Sequence, residues 1–177
     1  SLRRLRNLRT CWPRYALHRV RERYLSQPGS TAAYQLFSPD CSHPLWARQG
    51  TSDIHVFRQI FADREYRPFD NLDRTTPGLI IDAGANVGYS SAFFLSRFPG
   101  CRVIAVEPDP ENASVLRRNL TPFKNRVRIV EAAIWSEPCR LVFDENPYRD
   151  GAHWSRHVRM ATASDLQTLK AVDVDTL

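Results

Sequence analysis

Lysine is nearly absent from this chain. Lys124 and Lys170 are the two lysines among 177 residues, so basicity rests on arginine. The four cysteines, Cys11, Cys41, Cys101 and Cys139, form no C-x-x-C pair. That removes the usual zinc and redox spacings and leaves a reducing cytoplasm as the expected location. Long apolar runs are missing too. The best candidate is interrupted by Asp82 and Asn86 and is too short to span a bilayer. No apolar signal core follows the first arginines, so no secretory route is expected. Internal repeats and low-complexity segments are also lacking.

The net charge of +6 is unevenly placed. Residues 1 to 25 hold eight arginines and one glutamate, leaving seventeen basic and eighteen acidic residues in the rest. The basic character therefore belongs to one segment, which reads as helix broken or restarted at Pro13 and ended by "QPGS". Two readings stay open for residues 1–25. One is contact with a membrane surface or a nucleic acid; the other, which is favoured, is an arginine-rich helix packed on the domain edge. No nucleic-acid partner is expected.

Residues 1–50 read as a basic helical and irregular extension, residues 51–177 as part of an α/β domain. In "TSDIHVFRQIFADREY", Thr51 or Ser52 is a helix cap, Asp53 lies in the first turn, and Ile54, Phe57, Ile60 and Phe61 share a face. From Leu79 the pattern alternates. Strand "LIID" leads to a glycine turn and a helix from about Tyr89 to Phe98. Strand "CRVIAVE" leads to a helix capped by Asp109 with Pro110 at its first position, and strand "RVRIVEAA" follows. Short links between these elements imply parallel βαβ units with right-handed crossovers. "LII" and "VIAV" are apolar throughout, as strands covered on both faces are. "RVRIV" alternates, as an edge does, giving spatial order 3-2-1. "CRLVF", "HVRMAT" and "VDVDTL" are candidates for added short strands, with "ASDLQTL" a short helical turn.

The glycine turn in "LIIDAGANVGYSSAFFL" poses the functional question. A dinucleotide turn reads G-x-G-x-x-G, but here Asn86 replaces the second glycine and Gly88 comes one position early. No Gly-Lys-Ser/Thr follows, so a phosphate loop is excluded as well. The ligand expected is nucleoside-like without a pyrophosphate, and S-adenosyl-L-methionine fits. Gly84 and Gly88 would clear space for it, Asp82 would engage its ammonium, and Glu107 at the next strand end would accept its two ribose hydroxyls.

On "IIDAGANVGYSSAFFL", "VIAVEPDPENASVLRRNL" and "RVRIVEAAIWSEP", residues 51–177 resemble the FkbM family of S-adenosylmethionine-dependent methyltransferases. The resemblance implies a Rossmann-like class I methyltransferase fold and methyl transfer to a hydroxyl, on a sugar or secondary metabolite. By position it makes Asp82, Gly84, Asn86, Gly88 and Glu107 cofactor-site residues. Where many class I enzymes place an acid after the third strand, this chain has "EAAIW", so adenine contact falls to backbone and apolar atoms at Ala133 or Ile134. In the family a further acidic strand follows a segment like "VDVDTL". The expectation is therefore a C-terminally truncated domain that is inactive alone, with strand "LIID" an open edge that an oligomer could cover.

No catalytic base stands out. His153 and His157 in "HWSRH" are weak candidates for a substrate-facing base, and without a third ligand they predict no metal site. Trp135 and Trp154 are candidates for lining an acceptor. The competing reading is a non-catalytic nucleotide-binding or interaction module that uses the arginine-rich helix. An oxidoreductase is a third.

Overall fold

The computed structural model describes residues 32–73, 77–144 and 158–177. The arginine-rich residues 1–25 and the candidates His153, Trp154 and His157 lie outside the described residues.

The first element is an antiparallel hairpin of β1 (Ala33–Leu36) and β2 (Leu45–Arg48), within a stretch that the sequence pattern marks as irregular. Four residues per strand are too few for a clear period. Long-range bonds fix the hairpin instead. The Asn119 side chain accepts from Trp46 N at 2.6 Å and donates to Trp46 O at 3.1 Å, and Tyr89 Oη donates to the same carbonyl at 2.9 Å.

Helix α1 (Asp53–Phe57) continues as a π-helical turn over Arg58–Ala62. Its predicted apolar face is buried: Ile54, Phe57, Ile60 and Phe61 all join the main core. Phe57 meets Tyr89 edge-on at 5.7 Å and Phe61 meets Phe93 at 6.2 Å, an aromatic layer over the next helix.

The sheet that positions the site is parallel. β3 (Leu79–Ala83) pairs with β4 (Arg102–Val106), and β4 with β5 (Val127–Val130). The order β5-β4-β3 is the predicted 3-2-1, a Rossmann-like parallel α/β arrangement. Helix α2 (Tyr89–Arg97) makes the first crossover and α3 (Pro110–Leu120) the second. Asp109 caps α3 as expected, accepting from Glu111 N at 2.8 Å and Asn112 N at 3.2 Å. Ala113, Leu116 and Leu120 are its buried face.

One face of the sheet packs Ile80, Val103, Ala105, Val127 and Ile129 against the helices and the hairpin. On the other, Ile104, Val106 and Val130 pack against Ala132, Val172 and Leu177. That second layer covers β4 and β5 but not β3. β4 is therefore buried through four of its five residues, whereas in β3 Leu79 is 57% and Ile81 38% exposed. Full covering of both faces, expected from the apolar run "LII", does not hold for β3 among the described residues.

A second sheet has the order β6-β9-β7-β8: β6 (Ala133–Ile134), β7 (Arg140–Phe143), β8 (Val158–Met160) and β9 (Leu169–Val172). β7 and β8 realise the predicted "CRLVF" and "HVRMAT" strands. β9 lies upstream of the predicted "VDVDTL". The alternation there is broken because the Asp173 carboxylate accepts from Thr176 N at 2.7 Å and from the Thr176 hydroxyl, turning the chain. "ASDLQTL" is a turn around Asp165, which accepts from Thr162 N at 2.7 Å, and it is not helical.

Candidate functional site

Parallel strands bring their carboxyl ends to one edge of the sheet, and the loops that follow line a crevice there. Asp82 and Ala83 close β3 beside Ala105 and Val106 of β4. The turn after β3 is sewn to the end of β4. Gly84 N and Ala85 N both donate to Val106 O at 2.9 Å, Asn86 N donates to Glu107 Oε2 at 2.8 Å, and Gly88 N donates to Ala85 O at 2.8 Å. Gly84, Asn86 and Gly88 have positive φ, at 76°, 50° and 85°. Glycine, and asparagine among the other residues, adopt this region at least cost.

These bonds decide what the turn is suited to hold. An anion-binding turn offers free N–H groups. Here the amides of Gly84, Ala85, Asn86 and Gly88 have acceptors within the protein. Two carboxyls stand beside the turn instead. Burial pushes the Asp82 carboxyl above its ordinary range, against the opposing effect of the Ser91 hydroxyl, which donates to Oδ2 at 2.6 Å, and the Ser91 amide. Glu107 is 5% exposed, and burial raises it too, against hydrogen bonds from Asp109 N, Asn86 N and the Asn112 amide. Desolvated carboxyls beside a turn with occupied amides favour a cationic or hydroxyl-bearing ligand over a pyrophosphate.

Glu107 is more fully engaged than the sequence suggests. Oε1 accepts from Asp109 N at 3.0 Å and from Asn112 Nδ2 at 3.3 Å, while Oε2 accepts from Asn86 N. A carboxylate has about four lone-pair directions. One remains, on Oε2, where the sequence reading gave Glu107 two ribose hydroxyls. The same carboxylate sits at the N-terminus of α3, where the helix dipole favours negative charge.

The two glycines differ. A side chain at Gly84 would meet nothing within 4 Å, so the space above this residue is open. A side chain at Gly88 would meet Leu116 and Leu120 at 3.3 Å, so its bareness serves the α2–α3 contact. Ala133 follows β5 by three residues, pairs with Ala171 in the second sheet and is buried with Leu141 and Ala171. Trp135, a candidate for lining an acceptor, packs against that same cluster.

The crevice residues fit S-adenosylmethionine: space at Gly84, a carboxyl for an ammonium at Asp82, and an open acceptor position on Glu107 for a ribose hydroxyl. Sequence reasoning missed Ser91 and Asn112. Ser91 sits on the α2 face toward β3, and Asn112 is the last residue of "EPDPEN", three positions past the Asp109 cap. The signal for Asn112 is a helical spacing from an acid already singled out; Ser91 meets Asp82 from the next element, nine residues on, and no local spacing announces it.

Residues 82–175, more than half of the chain, match the family model described as Methyltransferase FkbM domain. Methyltransferase sdnD of Sordaria araneosa is 35% identical over 65 residues, covering 37% of this chain and 24% of that protein. Ribosomal RNA small subunit methyltransferase H of Synechococcus sp. (strain CC9902) is 35% identical over 71 residues, covering 40% of this chain and 22% of that protein. The match therefore spans less than a quarter of either relative's length. Among solved structures, methyltransferase FkbM from Methylobacillus flagellatus KT aligns with a TM-score of 0.42 at 16% identity, covering 63% of this chain and 25% of that one.

Proposed function

This chain belongs to the methyltransferase FkbM domain family, and from that premise we propose that it uses S-adenosylmethionine to methylate a hydroxyl oxygen on a sugar or secondary metabolite. When bound, the cofactor supplies an electrophilic methyl group on a sulfonium. The chain's own residues bind and orient. Asp82 takes the cofactor's ammonium, Gly84 leaves room beside it, and Glu107 accepts a ribose hydroxyl on Oε2. The backbone near Ala133 faces the adenine. Alignment of acceptor and methyl donor then supplies most of what an in-line displacement asks of a protein.

The observation that supports this reading best is the pairing of occupied turn amides with two desolvated carboxyls. A dinucleotide oxidoreductase would need the reverse, free amides facing a pyrophosphate. Calorimetric titration with S-adenosylhomocysteine and with NAD separates the two. The reading requires binding of the first and indifference to the second; NAD binding alone would overturn it. Labelled methyl transfer to a panel of glycans and small alcohols then identifies the acceptor.

A further inference from the structure

Away from the crevice, one charged group among the described residues is buried that binding does not use. Asp53, at the start of α1, is 0% exposed. Its partner is Arg48 at the end of β2. Asp53 Oδ2 accepts from Arg48 N at 2.8 Å and Nε at 3.0 Å, and Oδ1 accepts from Nη2 at 2.9 Å. A buried carboxylate persists when paired this completely. The same Nη2 also donates to Asn112 Oδ1 at 2.7 Å.

We infer that Arg48 and Asn112, anchored by Asp53, form a positioning relay that orients Glu107 toward a ribose hydroxyl. This rests on the cofactor reading above. The logic is one of donors and acceptors. A guanidinium has donors and no acceptor, so the carbonyl oxygen of Asn112 must face Arg48. Its NH2 group is then turned the other way, and there it meets Glu107 Oε1 at 3.3 Å. With Asp109 N also on Oε1, that oxygen is filled. The open position falls on Oε2, the oxygen beside the glycine turn. Arg48 thus selects which edge of the Glu107 carboxylate is offered, without touching it.

A brace between hairpin and helix is the competing role for these bonds. The hairpin already has braces, however. Asn119 holds both backbone groups of Trp46 and also donates to Val87 O at 2.8 Å, and Tyr89 adds a further bond to Trp46. The Arg48–Asn112 bond adds direction where docking is already secured.

The test compares S-adenosylhomocysteine with analogues lacking its 2′- or 3′-hydroxyl, by calorimetry. The wild-type protein should prefer the parent over the more affected analogue by about tenfold, the worth of one charge-assisted hydrogen bond. In Asn112→Ala that preference should fall toward unity, with parent affinity down by about three- to tenfold and the analogue nearly unchanged. The double variant Arg48→Met/Asp53→Leu should show the same loss, and removing both charges together avoids leaving Asp53 buried and unpaired. Asn112 is half-buried, so its alanine variant should fold and carry the test by itself. Equal weakening for all ligands with a lower melting temperature would mean a brace and overturn the relay. Tighter parent binding by Asn112→Ala would mean obstruction and overturn it as well. Wild-type binding with a ribose preference that neither variant changes overturns the relay alone. No wild-type binding of S-adenosylhomocysteine overturns the cofactor reading, and the relay with it.

Discussion

A Cβ built on Gly84 meets nothing within 4 Å, whereas one built on Gly88 comes within 3.3 Å of the Leu116 and Leu120 side chains. Both residues hold left-handed backbone, at φ 76° and 85°. Their conformational need is the same; what lies beyond them differs. Gly84 faces the crevice and Gly88 faces the core. One side of the turn therefore opens on the crevice and the other packs the core, although both glycines read as cofactor residues in the sequence.

Making the same substitution at each position tests that contrast. Gly88→Val combines strain with overpacking: a branched residue at positive φ costs about 1–3 kcal/mol, and forcing Leu116 and Leu120 apart costs about 1–3 kcal/mol more. The expected loss is about 2–6 kcal/mol by chemical denaturation, a large fraction of the roughly 5–15 kcal/mol that holds an ordinary domain. Gly84→Val has the strain without the clash, so about 1–3 kcal/mol is lost and circular dichroism should keep its helical signal. Its binding of S-adenosylhomocysteine should nonetheless fall below detection, because the side chain enters the open space. Equal stability losses at the two sites, or unchanged ligand affinity in a folded Gly84→Val, would break the comparison.

The same division runs through what could be read from sequence. The unit from β3 to α3 was legible because its signals are local: an apolar strand, a glycine turn, an Asp109–Pro110 cap and a helical stripe of Ala113, Leu116 and Leu120. The hairpin was not, because its anchors are Tyr89 and Asn119, 43 and 73 residues from Trp46. β9 was misplaced because "VDVDTL" alternates well, and the local competitor, Asp173 bonding Thr176, outweighs a period of two. β3 looked fully buried because an apolar run does not say which neighbours cover it. In the candidate site, the strand-end positions of Asp82 and Glu107 were readable. Their state was not, since the three donors on Glu107 come from Asn86, Asp109 and Asn112, and the Arg48–Asp53 pair behind them joins separate elements.

The smallest expected effect is a pH dependence of opposite sign for binding and for stability. Burial raises both Asp82 and Glu107 above their ordinary values. In the unliganded protein, the folded state then holds these protons more tightly than the unfolded chain does. Stability from these two groups should rise as pH falls from neutral toward the ordinary carboxylate range near about pH 4. Affinity should move the other way. A cationic ammonium binds the ionised Asp82, and its attraction is full above the raised pKa and lost as pH falls through it. Asp165 opposes this trend at the acid end of the window. The Arg159 guanidinium, at 2.8 and 2.9 Å, holds it below the ordinary range, so its stabilisation starts to fade as pH approaches the ordinary carboxylate value and is lost below it. Calorimetry and thermal melts from about pH 7 to pH 4 check both signs. Asp82→Asn should flatten the affinity profile, and Glu107→Gln should reduce the stability slope. Affinity that holds constant to the bottom of that range would show that Asp82 does not meet a cation.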